Sequence, residues 1–194
     1  MQAGASSAPP PPGTGSGAPV ERASFALSGA LSRDAVTGNS RNGVVLKFAS
    51  PPDEVVADKK WRFFVYRDGA HDAVDMLFLH RRGSYLLGRD ERVCDICVGH
   101  PSVSSQHAAL CFRSVPLPRE PGDERPPAHE VRPYAIDLES THGTRLNGAR
   151  VPPARFVQLK SGDVLRFAHS TKEYVLMEDS SLQPELRGVT AAAE

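Results

Sequence analysis

The chain is poor in the features that announce several large classes of protein. Its 194 residues hold three cysteines, an odd and small number that argues against a disulfide framework and for a reducing compartment. Charge of either sign is not in excess: 23 Lys and Arg balance 23 Asp and Glu, so no global field draws the chain to nucleic acid or membrane. Any electrostatic function has to be local. No apolar run reaches the roughly 20 residues that cross a bilayer. The opening residues are Pro, Gly, Ser and Ala, not a basic patch before an apolar stretch, so no secretory signal pattern is present. No stretch sustains the apolar periodicity of a helix. What remains is one ordinary domain with tails, in cytoplasm or nucleus.

What is there divides in three. Residues 1–20 are low-complexity, with the run Pro9 to Pro12, and carry too little apolar surface to offset ordering entropy; they are expected to be disordered. Residues 21–60 are polar with spaced apolar anchors: Phe25, Leu27, Leu31, then Gly43-Val44-Val45-Leu46-Lys47-Phe48 and Pro51-Pro52. Such a segment either orders on a foreign strand or pocket, or packs back onto its own domain. From Trp61 short β-prone runs follow at close spacing: 61–66, 75–80, 84–87, 93–98, 107–112, 134–138, 163–168 and 173–177. Turn residues separate them, which argues for a sandwich or barrel over residues 61–179. Residues 114–133 read as an exposed, proline-rich loop insertion, and 180–194 as a flexible tail.

The chemistry concentrates in two blocks, Gly88-Arg89 followed by Pro101 to His107, and Asp137 to Gly148. Arg89 follows a strand at a glycine, where its guanidinium can offer two parallel charge-assisted hydrogen bonds to a phosphate. Ser104 and Ser105 lie in a loop just before a strand, so hydroxyls and amides converge on one anion. Thr141 adds a hydroxyl, Gly143 a tight turn, and Thr144 an internal fastening. Asn147-Gly148 reads as a two-residue hairpin turn. Ser104 and His107 also have the spacing of a nucleophile and base, but no nucleophile elbow accompanies them. His107 therefore reads as a buried brace, and a Ser/His hydrolase stays only as a remote alternative.

These blocks together resemble the forkhead-associated (FHA) domain, with Gly-Arg, Ser-x-x-His and Asp-Leu-x-Ser-x-x-Gly-Thr-x-Leu-Asn-Gly in order. Lys60-Trp61-Arg62, Tyr85 to Arg89, His100-Pro101-Ser102, Arg132-Pro133-Tyr134 and Ser170 to Leu176 are similar to one branch of it. That branch contains the Smad nuclear-interacting protein, the plant Dawdle protein and the yeast pre-mRNA leakage protein. Ser28-Gly29, Leu31 and Asn42 to Lys47 are similar to its pre-domain peptide.

The resemblance implies an all-β fold, an antiparallel sandwich whose loop-end pocket prefers phosphothreonine. Arg89, Ser104, Ser105, Thr141 and His142 would bind the phosphopeptide, with Gly88, His107, Gly143, Thr144 and Asn147 shaping the pocket. It further implies a non-catalytic subunit of the nuclear retention and splicing complex. Leu31 and Gly43 to Lys47 would then dock on an RNA-recognition-motif subunit. An FHA scaffold with a degenerate pocket, acting through that peptide alone, is the alternative. Two positions depart from the family: His142 stands where asparagine is usual, and Ser105 where a basic or amide residue is commoner.

No cofactor or metal is expected. Cys94 and Cys97, placed on one strand, would face opposite ways, and four converging zinc ligands are not evident. Arg81, Arg82, Arg89 and Arg92 form a basic cluster for which direct RNA contact is a secondary expectation.

Overall fold

A computed structural model describes residues 39–67, 70–118 and 126–181. The expectations for residues 1–20, for 21–38 including Leu31, and for the tail from 182 lie outside the described residues.

A hairpin comes first. β1 (Ser40–Arg41) and β2 (Val44–Val45) pair across Asn42-Gly43. Both turn residues have positive φ, 51° and 76°, the left-handed backbone that a tight two-residue hairpin turn demands. The domain proper begins with β3 (Trp61–Arg67), β4 (Asp75–Phe78), β5 (Ser84–Gly88), β6 (Ile96–Cys97) and β7 (Ala108–Pro116). It continues with β8 (His129–Asp137), β9 (Thr144–Leu146), β10 (Ala149–Arg150), β11 (Phe156–Gln158), β12 (Val164–Phe167) and β13 (Lys172–Glu178). One sheet has the order β10-β9-β12-β13-β3-β4 and the other β11-β8-β7-β5-β6. Pairing is antiparallel except at β6, which runs parallel to β5. The sandwich expected from the short-strand pattern is what forms.

Two elements differ from expectation. The run 93–98 is mostly a turn, because the amides of Val93 and Cys94 fold back on the Asp90 carbonyl at 3.2 and 2.9 Å. Residues 114–133 are not all loop. β7 and β8 extend into both ends, in register from Ala108↔Asp137 to Pro116↔His129, which leaves 117–128 as the connection. Pro133 disguises this extension, since an interior strand rarely tolerates proline. Its carbonyl accepts from the Leu159 amide at 2.8 Å, so its missing N–H faces that same side. There β11 has already ended, its last pair being Gln158↔Tyr134. Only the reciprocal bond of this terminal Leu159–Pro133 pair goes unmade.

The sheets enclose a core of Phe63, Leu87, Leu110, Phe112, Phe167, Tyr174 and Leu176. The alternate residues of the second sheet are also apolar: Leu86, Ala109 and Cys111 are buried, with Tyr134, Ile136 and Phe156 packed around them. A sheet apolar on both faces needs a cover. The pre-domain segment supplies it: Phe48 is buried there, flanked by Val44 and Leu46. The Val55 amide donates to the Phe112 carbonyl at 3.0 Å, and Asp53 pairs with Arg113 at 2.9 Å. Of the two readings of residues 21–60, packing on the home domain describes Val44, Leu46 and Phe48. For those residues to dock on a partner they must first leave this face. Val45 points away and is 58% exposed.

Candidate functional site

The site grows from one close approach. After β5, the Arg89 and Asp90 amides donate to the Ser104 and Ser105 carbonyls at 3.0 and 3.1 Å. A Cβ on Gly88 would stand 2.3 Å from the Ser105 carbonyl oxygen, so only glycine lets the two loops touch. This contact carries Arg89 to the rim beside the loop 98–107.

His107 locks that loop from beneath. It has no exposed surface, and its Nδ1 accepts from the Ser104 amide at 3.2 Å. The proton therefore sits on Nε2, which donates to the Gly143 carbonyl at 3.2 Å. The ring meets Phe167 edge-on, 5.6 Å between centroids. Burial holds the imidazole below its ordinary pKa, against the opposing pull of Asp137 and the Gly143 carbonyl. Neither nitrogen is directed at the Ser104 hydroxyl, which lies 3.4 Å from that of Thr141. A base on the candidate nucleophile is what the hydrolase alternative requires, and His107 is otherwise engaged.

Asp137 knots the third loop. At 2% exposure it accepts from the Ser140 amide at 2.9 Å, the Ser140 hydroxyl at 2.7 Å and the Thr144 hydroxyl at 2.7 Å. The Gly143 amide in turn donates to the Ser140 hydroxyl at 2.9 Å. Burial alone would raise this carboxyl; the hydrogen bonds from Thr144 and Ser140, with His107 nearby, hold it below the usual carboxylate value. Gly143 takes φ +78°, which lets its amide and carbonyl serve Ser140 and His107 at once.

Acid should loosen this knot. The folded state disfavours a proton on both His107 and Asp137. The unfolded chain therefore binds protons more readily below about pH 6.5 for the imidazole and below about 4 for the carboxyl. Stability is complete above those values and falls as pH drops through them. We expect the melting temperature to decline between about pH 7.5 and about pH 5. His107→Gln should be less stable at neutral pH, with a flatter profile over that interval. A wild-type profile flat over the same interval would show that the imidazole is not held neutral.

Arg89, Ser104, Ser105, Thr141 and His142 meet around one concavity of about 430 Å³, with Pro101, Ser102, Val103, Gln106 and Lys47 completing its wall. No carboxylate lines it. Arg89 is exposed, and among the described residues its guanidinium makes one hydrogen bond, a 3.4 Å contact to the Pro101 carbonyl. The Thr141 amide donates to the Ser104 hydroxyl at 3.2 Å, which joins the two loops across the floor. The His142 ring rests on that of His169, 4.6 Å between centroids. This is a cationic, hydroxyl-lined cup with unfilled donors, a shape and charge suited to a phosphate ester. Asn147 sits apart at the β9–β10 turn, φ 50°, donating to Asp163 at 2.8 Å and accepting from the Val164 amide at 2.9 Å.

Three residues here were not singled out from sequence as pocket groups. Lys47, assigned to partner docking, lines the cup. Gln106 and Asp137 organise it. The Asp-x-x-Ser spacing was a usable signal for Asp137, since an aspartate often accepts from an amide a few residues on. Nothing local signalled Lys47 or Gln106.

The basic cluster is only partly paired. Arg82 and Arg41 both pair with Asp95, at 2.6 and 2.8 Å, Arg92 pairs with Asp90 at 2.8 Å, and Arg81 lies over Phe78 at 5.4 Å. Arg41 and Arg82 thus share one carboxylate, and Arg81 and Arg89 have none, so the cluster keeps net positive charge. Cys94 lies in the turn, not on a strand, with its thiol donating to the Ser105 carbonyl at 3.1 Å and pushed up to about 12 chiefly by burial. Burial likewise pushes Cys111 up to about 12. Among the described residues no group of three or more His, Cys, Asp or Glu could hold a metal ion.

Comparison with known proteins agrees with this geometry. Residues 85–168 match the FHA domain. The mouse Smad nuclear-interacting protein 1 is 42% identical over 166 residues, 86% of this chain and 41% of the relative. The FHA domain-containing protein DDL of Arabidopsis thaliana is 36% identical over 163 residues, 84% of this chain and 50% of the relative. The chain thus spans half or less of these relatives' length. A crystal structure of full-length yeast Pml1p superposes with a TM-score of 0.56 at 26% identity, covering 68% of this chain and 99% of that one. A second structure, of the yeast Pml1 splicing factor and its integration into the RES complex, gives 0.57 at 26%, covering 69% and 98%. Residues 85–168 of the chain are thus an FHA domain, and the chain is homologous to the Smad nuclear-interacting proteins over the span they share.

Proposed function

We propose that the chain is a non-catalytic adaptor whose cup binds phosphothreonine in a protein partner, within nuclear pre-mRNA processing. The observation that carries this is the single concavity joining Arg89, Ser104, Ser105 and Thr141, held open by His107 and Asp137 and free of carboxylates. A phosphate ester brings about −1.5 to −2 charges and three strong acceptors, which such a cup neutralises and an unmodified hydroxyl would leave unpaired. The absence of a base at the Ser104 hydroxyl favours binding over turnover.

The processing assignment is supported by the likeness to a Smad nuclear-interacting protein and to a splicing factor integrated into the RES complex. By that analogy the segment before the domain would reach an RNA-recognition-motif subunit. Since Val44, Leu46 and Phe48 cover the domain itself, the docking portion should lie before Val44.

A peptide pool degenerate around a fixed phosphothreonine, with its unmodified twin, tests the central claim by fluorescence anisotropy. The expected outcome is binding of the phosphorylated pool and at least about a hundredfold weaker binding of the twin, as loss of charge-assisted hydrogen bonds implies. Equal binding of the two would refute phosphate recognition.

A further inference from the structure

We propose that Lys47, delivered by the pre-domain strap, is a second phosphate-binding cation of this cup and supplies the charge that Ser105 does not. The proposal rests on the phosphothreonine reading and adds to it a residue lying well outside residues 85–168, the span matching the FHA domain.

The strap's position is built. Gln106, buried at 6% exposure between Ser105 and His107, clamps it with both ends of its carboxamide. Its Nε2 donates to the Val45 carbonyl at 2.9 Å, and its Oε1 accepts from the Lys47 amide at 2.8 Å. The backbone of Lys47 is thereby tied to the same loop that carries Ser104 and Ser105. Phe48, buried at 9% exposure, anchors the next residue on the sheet. The hairpin fastens the other end, where Arg41 donates to the Val93 carbonyl and Asn42 to the Arg92 carbonyl at 2.8 and 2.6 Å. Between these anchors Lys47 is exposed and lines the cup, with Nζ 3.5 Å from the Leu138 carbonyl.

The charge balance favours the same conclusion. A phosphate monoester approaches two negative charges at neutral pH. Arg89 and Lys47 are the lysine and arginine that line the cup, and among the described residues neither is in an ion pair with a carboxylate. Elsewhere, Arg92 pairs with Asp90, while Arg41 and Arg82 share the single carboxylate of Asp95, and none of the three lines the cup. Lysine suits the second place, because an ammonium on a flexible stem contributes a point charge without the directional demand of a guanidinium fork.

The test titrates the phosphothreonine peptide pool into the full chain and four variants. Lys47→Met, which keeps the aliphatic stem, should bind about tenfold more weakly, the effect of one exposed charge-assisted contact, with an unchanged melting temperature. Lys47→Arg should bind near wild type. In Lys47→Met/Ser105→Arg the cation is moved to the loop, and affinity should return to within about threefold of wild type, since charge at the phosphate is restored. Arg89→Ala is the reference for a lost pocket. Wild-type affinity in Lys47→Met alongside a dead Arg89→Ala overturns this proposal and leaves phosphate recognition standing. Loss in Lys47→Met that Ser105→Arg does not repair also overturns it, by showing that the lysine acts other than through its charge. A wild-type chain that ignores the phosphorylated pool overturns the underlying reading, and this proposal with it.

Discussion

Replacing Arg89 with alanine is expected to weaken phosphothreonine peptide binding by at least about a hundredfold while leaving the fold intact. A guanidinium offers the phosphate two parallel charge-assisted hydrogen bonds, each contributing about 1.5–3 kcal/mol. Losing both corresponds to about two to four orders of magnitude in Kd. The fold should not notice. Arg89 is exposed, and among the described residues its guanidinium makes a single hydrogen bond, 3.4 Å to the Pro101 carbonyl. The backbone amide that holds the loops together is unaffected by the substitution, since it is the N–H of residue 89 that reaches Ser104. Arg89→Lys should fall between, about tenfold below wild type, because charge survives while the planar fork does not. Anisotropy with the phosphorylated pool gives the affinities and thermal melting the stability. Binding within a factor of three in Arg89→Ala would remove the guanidinium from the mechanism.

The second large effect is on stability. Asp137→Ala should destabilise the domain by about 2–4 kcal/mol, because it strands the buried Thr144 hydroxyl, at about 1–3 kcal/mol, and two half-buried Ser140 donors that cost less. Thr144, 1% exposed, loses its hydroxyl's acceptor, and Ser140 loses acceptors for both its amide and its hydroxyl. The damage spreads to the cup. Ser140 holds the Gly143 amide and Gly143 holds His107, which in turn holds the Ser104 amide. Peptide affinity should therefore fall as well, although Asp137 never meets the ligand. Asp137→Asn, which retains the oxygen acceptor without its charge, should cost less. Urea denaturation measures the difference; an alanine variant within about 0.5 kcal/mol of wild type would mean the knot is dispensable.

Much of the pocket could be read in one dimension. Gly88, Arg89, Ser104, Ser105, Thr141 and His142 belong to short contiguous blocks whose residue types state their chemistry, and the structure gathers all but Gly88 around one concavity, Gly88 being the close contact that positions them. Asn147-Gly148 declared its turn because two adjacent left-handed residues leave few other choices. The run 93–98 misled because apolar content resembles a strand, whereas the Asp90 carbonyl captures two amides and bends the chain. Residues 114–133 misled in the opposite sense, since proline reads as a breaker until the end of the neighbouring strand is known. The pairing of Arg82 with Asp95 and of Arg92 with Asp90 was not legible, because those carboxylates lie among the arginines in sequence without revealing their geometry.

By itself, then, the order of amino acids determined an all-strand sandwich, its turn positions and the chemical character of the cup, because each depends on residues within a few places of one another. Only the tertiary structure decided where residues 44–48 pack. Their fate turns on the outer face of β5, β7 and β8, where Leu86, Ala109 and Cys111 would otherwise meet water. That face is assembled from three strands distant in sequence. Covering it brings Gln106 against Lys47 across 59 residues. A lysine's membership in a pocket that far along the chain is a property of packing, and no local pattern encodes it.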